Sequence, residues 1–233
     1  MGINVRSEGL VNNLEDFTFH ILGCGAIGSS AAIQLCRTGA TNFALYDMDK
    51  VGIENVGVSQ FDLNDVGDSK TRALKDKLTN INNDCGIMEL DEKFTRILRY
   101  DTDSIAILGF DNMEVRKEAV MSMFKFGSGP KVLIDGRMGA EHYQQYTFVN
   151  QVNNGDIMMS EYLPTWYSDE EGSTEPCNMK ATSYCSNMAG SFIVNTLRKI
   201  LTNSPYENEL IFNFPTMSLE KNTCYKYQSI VNS

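Results

Sequence analysis

The chain has 233 residues, of which 42% are hydrophobic and 21% charged, with only five prolines. That balance suits one globular domain spanning 1–233 and excludes a disordered or collagenous chain. Thirty acidic residues against twenty basic ones leave a formal charge of -10, which repels nucleic-acid phosphates and anionic lipid, so neither is an expected partner. The six cysteines contain no C-x-x-C pair and sit in apolar patterns, as free thiols of a reducing, cytoplasmic setting do. No signal peptide or membrane span is read from the pattern, and Arg6 stands where a myristoylation signal wants Ser or Thr.

In chain order, residues 17–22 (FTFHIL) read as a short buried strand, followed by a glycine loop and a helix that stops at Gly39. Residues 42–47 (NFALYD) make a second strand, and 69–82 place Leu74, Leu78 and Ile81 on one helical face. The basic residues from Lys70 to Lys77, interleaved with Asp76, read as a solvated face of that helix. Strands follow at 86–90, 103–110 and 131–135, with a helix over 112–126. Such alternation predicts a Rossmann-like α/β fold, a mostly parallel sheet flanked by helices, with antiparallel strands toward the C-terminus. There, 143–150 reads as a strand, 151–177 as a long polar stretch, 177–201 as a segment ending in a long helix, and 209–214 as a last strand before a weakly patterned tail.

Gly23, Gly25 and Gly28 satisfy G-x-G-x-x-G between a strand and a helix, where the backbone can approach a phosphate and the helix N-terminus faces it. Asp47, nineteen residues beyond Gly28 at the end of the second strand, stands where a carboxylate would hold a ribose; as a plain turn cap it would have no such role. Both features fit a nicotinamide-dependent oxidoreductase equally well. The residues that separate the two readings come next. Lys70 opens one helix, and Asp111, Asn112 and Arg116 follow the fourth strand, so Asp47, Asp111 and Lys70 are predicted to meet in one crevice beyond the carboxyl ends of the strands. A lysine beside a carboxylate suits phosphates and magnesium.

Four motifs then occur in order: G-x-G-x-x-G-S at Gly23 to Ser29, D-x-D-x-V-x-x-x-N at Asp47, Asp49, Val51 and Asn55, D-V-G-x-x-K at Asp65 to Lys70, and D-N-x-x-x-R at Asp111 to Arg116. Over roughly 17–202 the chain resembles the ubiquitin-activating-enzyme-like superfamily, the ThiF/MoeB/HesA adenylating enzymes. The resemblance implies ATP- and Mg2+-dependent adenylation of a carboxylate, most often the C-terminus of a small ubiquitin-like or sulfur-carrier protein or peptide, with release of pyrophosphate. It implies that the glycine loop with Gly23, Gly25, Gly28 and Ser29 holds phosphates, Asp47 the ribose, Asn55 and Lys70 the phosphates, and Asp111 the magnesium, with Asp49, Gln60 and Asn112 also in the nucleotide site; Lys70, Asp111, Arg6 and Cys177 are the catalytic candidates. It also implies a homodimer, in which an N-terminal arginine, here Arg6, reaches the neighbouring subunit's ATP.

Three departures stand out. NVGVSQ lacks the guanidinium usual before the glutamine, which leaves Arg6 or Arg137 to supply the charge. The two C-x-x-C pairs that hold zinc in many relatives are missing, so structural zinc is not expected. The nucleophilic cysteine falls by position on Cys177, with Cys185 eight residues on; near a helix start and Lys180 it could attack an acyl-adenylate, or it is a structural thiol. Residues 155–174 match the place of a crossover loop, where Tyr162, Trp166 and Tyr167 either grip a peptide or pin the loop, and Asp169 to Glu171 meet basic residues. A nucleotide-binding pseudoenzyme that docks a partner is the remaining alternative.

Overall fold

The computed structural model describes residues 3–6, 9–11, 13–95, 103–124, 129–149, 162–168 and 181–222. Among these, eight strands form one sheet: β1 (Thr18–Leu22), β2 (Asn42–Tyr46), β3 (Gly86–Leu90), β4 (Ser104–Leu108), β5 (Val132–Gly139), β6 (His142–Val149), β7 (Glu209–Asn213) and β8 (Ser218–Asn222). Their order is β3-β2-β1-β4-β5-β6-β7-β8. The first five run parallel and the last three antiparallel, as a Rossmann-like sheet with an antiparallel extension.

β1 and β4 are mostly apolar and buried nearly along their length because helices cover both sides of the sheet, with His20 and Ser104 as the buried polar exceptions. Helices α1 (Ala26–Thr38), α3 (Lys70–Ile81) and α5 (Ser183–Leu201) bury one face, with Leu35, Leu74, Leu78 and Ile193 packed on Phe19, Ile21 and Ile107. Helix α4 (Met113–Phe124) and Tyr162 cover the other, against Leu22, Leu108 and Leu133. The fifth helix, α2 (Ile53–Val56), is a single turn on the rim. Gly190 of α5 faces α1 so closely that a Cβ there would lie 2.9 Å from the Ser30 backbone. This contact seats α5 directly on α1.

Three elements differ from their expected bounds. β5 continues past Asp135 to Gly139 because β6 pairs with it antiparallel over its full length. The long helix starts at Ser183, with the Thr182 hydroxyl accepting from the Cys185 N–H at 3.4 Å. β8, within the weakly patterned tail, is exposed throughout and owes its form to the ladder with β7.

In the middle of β5, where its pairing with β4 ends, Asp135 is fully buried between two guanidinium groups. Arg116 of α4 pairs with one oxygen. Arg137 donates from Nε to the other at 2.8 Å, where the Tyr162 hydroxyl also donates at 2.6 Å. The remaining Arg137 donors reach the Thr165 carbonyl at 2.7 Å and its hydroxyl at 3.2 Å. Its cationic carbon lies 4.6 Å from the Tyr146 ring centre, an attractive placement over a π-face. Burial alone would raise the Asp135 pKa, but Arg116 and Arg137 outweigh it and hold the carboxyl below the ordinary value. A depressed folded value means that this stabilisation is fully present above the ordinary carboxylate value and is lost as pH falls below it and through the lower folded value. Asp135→Asn leaves two buried cations uncompensated and is expected to cost about 3–5 kcal/mol at neutral pH. In urea titrations, the gap between parent and variant should narrow below the ordinary carboxylate pKa.

Candidate active site

The glycine loop runs from β1 into α1 and is shaped by close backbone contacts. Gly23 has φ +93, and a Cβ on it would lie 2.8 Å from the Gly109 and Phe110 backbone beyond β4. A Cβ on Gly28 would collide with the Gly23 carbonyl oxygen, and one on Gly109 would lie 3.1 Å from the Gly28 nitrogen. Gly25 differs: a Cβ there meets nothing within 4 Å. It is the N-cap of α1 and no side chain caps that helix end, so the first-turn N–H groups face the crevice with the positive end of the helix dipole behind them.

Asp47, just beyond β2, is clamped to this loop. Its Oδ2 accepts from the Cys24 N–H at 2.8 Å and its Oδ1 from the Asp49 N–H at 2.9 Å. Each carboxylate oxygen keeps a further lone pair for a ligand hydroxyl. Burial raises the Asp47 pKa, with Lys70 and both N–H groups opposing the shift. Burial and the Asp47 charge push the Cys24 thiol well up, so it is inert.

Lys70 is not part of a solvated face. Its Nζ lies 2.8 Å from Asp49 Oδ2 and 3.8 Å from Asp47 Oδ1, and its side chain is 12% exposed. Its backbone N–H also donates to the Asp49 carbonyl at 3.0 Å. Burial pulls the ammonium down, but the Asp49 hydrogen bond and the charges of Asp47, Asp49 and Asp111 outweigh it, so the pKa lies above the ordinary lysine value. Lys70 therefore stays charged, and Asp111 is close enough to act on it. The other basic groups of α3 pair outward: Arg72 with Asp76, Lys75 with Glu89, and Lys77 with Asp62 and Asp65.

Several other expected ligands carry local structural bonds. Asn55 Oδ1 accepts from the Gly52 N–H at 2.9 Å and so caps α2. Asn112 Oδ1 accepts from the Val115 N–H at 2.8 Å in the first turn of α4. Ser29 is buried, with its hydroxyl accepting from the Gln60 N–H at 3.1 Å, while Gln60 Nε2 donates to Asn187 of α5 at 2.8 Å. Asp111 is exposed at the mouth of the crevice, just ahead of α4. These bonds hold the starts of α2 and α4 and tie Gln60 to α1 and α5.

Arg137, one candidate for the missing guanidinium, is spent on Asp135 and Thr165. Arg6 lies in a turn whose Asn4 side chain rests against Gly39, at the far end of α1. A thirteen-residue helix spans roughly 20 Å, so Arg6 does not reach the glycine loop of its own chain. Cys177, Lys180 and Asp169 to Glu171 lie outside the described residues. Cys185 is buried, and burial pushes its thiol up to about 11, which leaves it a poor nucleophile. Tyr162 is buried on Asp135 and Phe148 and stacks edge-on with Trp166, so these two aromatics pin their segment to the sheet. His20 is buried, with its ring nitrogens 3.0 Å from the Tyr46 hydroxyl and 3.3 Å from that of Ser104. His142 lies 3.0 Å from Asn213 on β7.

This crevice is closed on one side by a glycine turn and on the other by carboxylates around one ammonium. Sequence reasoning missed Gly109, whose only signal is a lone glycine after a strand, and the Thr71–Asp91 bond, which has none. Among the described residues, no group of three or more His, Cys, Asp or Glu could hold a metal ion, and no helix is long and apolar enough to cross a membrane.

The chain resembles known proteins along nearly its whole length. Residues 2–229 match the ThiF family. Ubiquitin-like modifier-activating enzyme 5 of Oryza sativa subsp. japonica is 34% identical over 101 residues, 42% of this chain and 24% of that protein. The tRNA threonylcarbamoyladenosine dehydratase of Bacillus subtilis (strain 168) is 32% identical over 107 residues, 43% of this chain and 42% of that one. The matched stretch thus spans about a quarter of the length of the first relative. In structure, Escherichia coli MccB with ATP superposes with a TM-score of 0.66 at 15% identity over 90% of this chain and 64% of that one. PaaA gives 0.66 at 16% identity, over 90% and 73%. Motif order, sheet topology and the match over 2–229 agree: the chain belongs to the ThiF family.

Proposed function

We propose that this protein is an ATP-dependent adenylating enzyme acting on the C-terminal carboxylate of a small ubiquitin-like or sulfur-carrier protein or peptide. The observation that carries this reading is the meeting of Lys70 with Asp47 and Asp49 at the mouth of the glycine loop, where the charge of Asp111 also acts on the ammonium. A dinucleotide oxidoreductase needs the loop and Asp47 but gives Lys70 and Asp111 no task. The open space at Gly25 admits the phosphates, the α1 N–H groups face them, and Asp47 holds the ribose. Mg2+ fits at Asp111, since that ion commonly takes one or two carboxylates and completes its shell with phosphate oxygens and water. When bound it would neutralise phosphate charge.

The chemistry needs no proton removed. An ionised carboxylate oxygen attacks the α-phosphorus, the bond to the bridging oxygen breaks, and pyrophosphate leaves with the electron pair. Both histidines are held by other side chains, which agrees with a reaction lacking a general base. Lys70 compensates charge on the phosphoryl oxygens, and the crevice aligns the reactants. Cys177 is the residue proposed to take the acyl group if a thioester follows. The net charge of -10 favours a protein partner with a basic tail over tRNA.

The missing guanidinium comes from Arg6 of a second copy. Arg6 stands among exposed Ile3, Val5 and Leu10, while exposed Met48, Ile53, Leu63 and Val66 follow the Asp47 turn beside acidic Asp49 and Glu54. The two surfaces complement each other in charge and apolar character. A homodimer would unite them.

ATP–pyrophosphate exchange with a peptide ending in Gly-Gly tests the proposal. Lys70→Ala is expected to slow exchange about 10²- to 10³-fold with a cooperative urea transition retained; ATP binding without exchange in the parent would leave a pseudoenzyme, and NAD binding in place of ATP an oxidoreductase. Gly25→Ala, whose Cβ points into open space, should keep parental thermal stability while weakening ATP binding. Mixing Arg6→Ala with Lys70→Ala chains should restore part of the activity that neither has alone, and the absence of any recovery would refute the shared site.

A further inference from the structure

The first turn of α3 is tethered on both sides of Lys70. On the β2 side, the Lys70 N–H donates to the Asp49 carbonyl at 3.0 Å. On the β3 side, the hydroxyl of Thr71, a fully buried residue, donates to the Asp91 carboxylate and lies 3.4 Å from the Ser69 hydroxyl. Asp91 is the first residue after β3, and the preceding Leu90 carbonyl accepts from the Asp47 N–H at 3.3 Å. Asp91 is thus an exposed carboxylate at the carboxyl end of the sheet, beside the proposed ribose position. Its charge is felt at the Cys24 thiol in the glycine loop.

A carboxylate there carries an electrostatic penalty, because Asp47, Asp49 and Asp111 already face a site meant for a triphosphate. Its bond to Thr71 supplies a reason for its presence. Successive residues of a helix differ by about 100° in direction, so the aim of Lys70 depends on how the first turn is rotated. The second turn is held separately, by Lys75 on Glu89. Without Asp91, the first turn would keep its tethers on the β2 side, the Lys70 N–H on the Asp49 carbonyl and the Lys50–Ser69 bridge, but would lose the one from Thr71 toward β3, and the ammonium would follow Asp49 rather than the phosphates.

We infer that Asp91 and Thr71 are positioning residues, a hydrogen-bonded pair that sets the direction in which Lys70 meets the nucleotide. The inference rests on the ATP-binding reading above. It assigns Asp91 no contact with ATP.

ATP affinity in magnesium buffer, measured by titration calorimetry, tests the pair against Lys70. Lys70→Ala should weaken ATP about 10- to 100-fold, as loss of a charged hydrogen bond does. Thr71→Val and Asp91→Ala should each weaken it about 3- to 10-fold. Asp91→Asn and Thr71→Ser, which can keep the bond, should stay within about twofold of the parent, and they carry the test if Thr71→Val unfolds. In a Lys70→Ala background, Thr71→Val and Asp91→Ala should have no further effect, because residues acting through one group are not additive. A loss that persists in that background, or an Asp91→Asn as weak as Asp91→Ala, would overturn the inference while leaving ATP binding intact. A parent chain that binds no ATP would overturn the nucleotide reading, and this pair's role with it.

Discussion

The contact among Gly23, Gly28 and Gly109 is the constraint on which the crevice depends. A Cβ at Gly23 or Gly28 would collide with another's backbone, and one at Gly109 would lie a tight 3.1 Å from the Gly28 nitrogen. Their approach brings α1 against the turn that leaves β4 and aims its uncapped first turn across the carboxyl ends of β1, β2 and β4. Gly25, with open space above it, is the place where that packing stops and a ligand can begin. The Cys24 N–H, held by Asp47, ties the same turn to β2.

Charge is arranged around this frame in two separate systems. In the crevice, carboxylates outnumber cations, and Lys70 is drawn inward by Asp49, Asp47 and Asp111. Beside it, on the face covered by α4, Arg116 and Arg137 outnumber Asp135, and the excess charge is spread over aromatic rings and the Thr165 carbonyl. The second system anchors residues 162–168 to the sheet. It explains why Arg137 is no phosphate ligand: its donors are used before any ligand arrives.

The parallel strands were legible because burial on both faces demands predominantly apolar runs, as in SIAIL and TFHIL. The α3 and α5 helices were legible from their 3.6-residue repeat. β8 was not, since SLEKN has no buried face and takes its shape from the β7 ladder. Within the site, the glycine spacing and Asp47 could be read directly. The hydrogen bonds of Asn55, Asn112 and Gln60 could not, because a polar side chain at a motif position can serve a ligand, a helix cap or a neighbouring helix, and here the three bond the starts of α2 and α4 and Asn187 of α5.

The sequence by itself determined the alternation of strand and helix, the glycine turn and the spacing of Asp47, Lys70 and Asp111, because periodicity and backbone permissiveness are local properties. Only the tertiary structure decided where side chains over twenty residues apart meet. It turned Lys70 away from the outward-paired face of its helix, bound Arg137 to Thr165, and put Arg6 at the far end of α1. Those outcomes follow from which element packs on which, and hydrogen bonds and ion pairs across that distance leave no periodic trace in the chain.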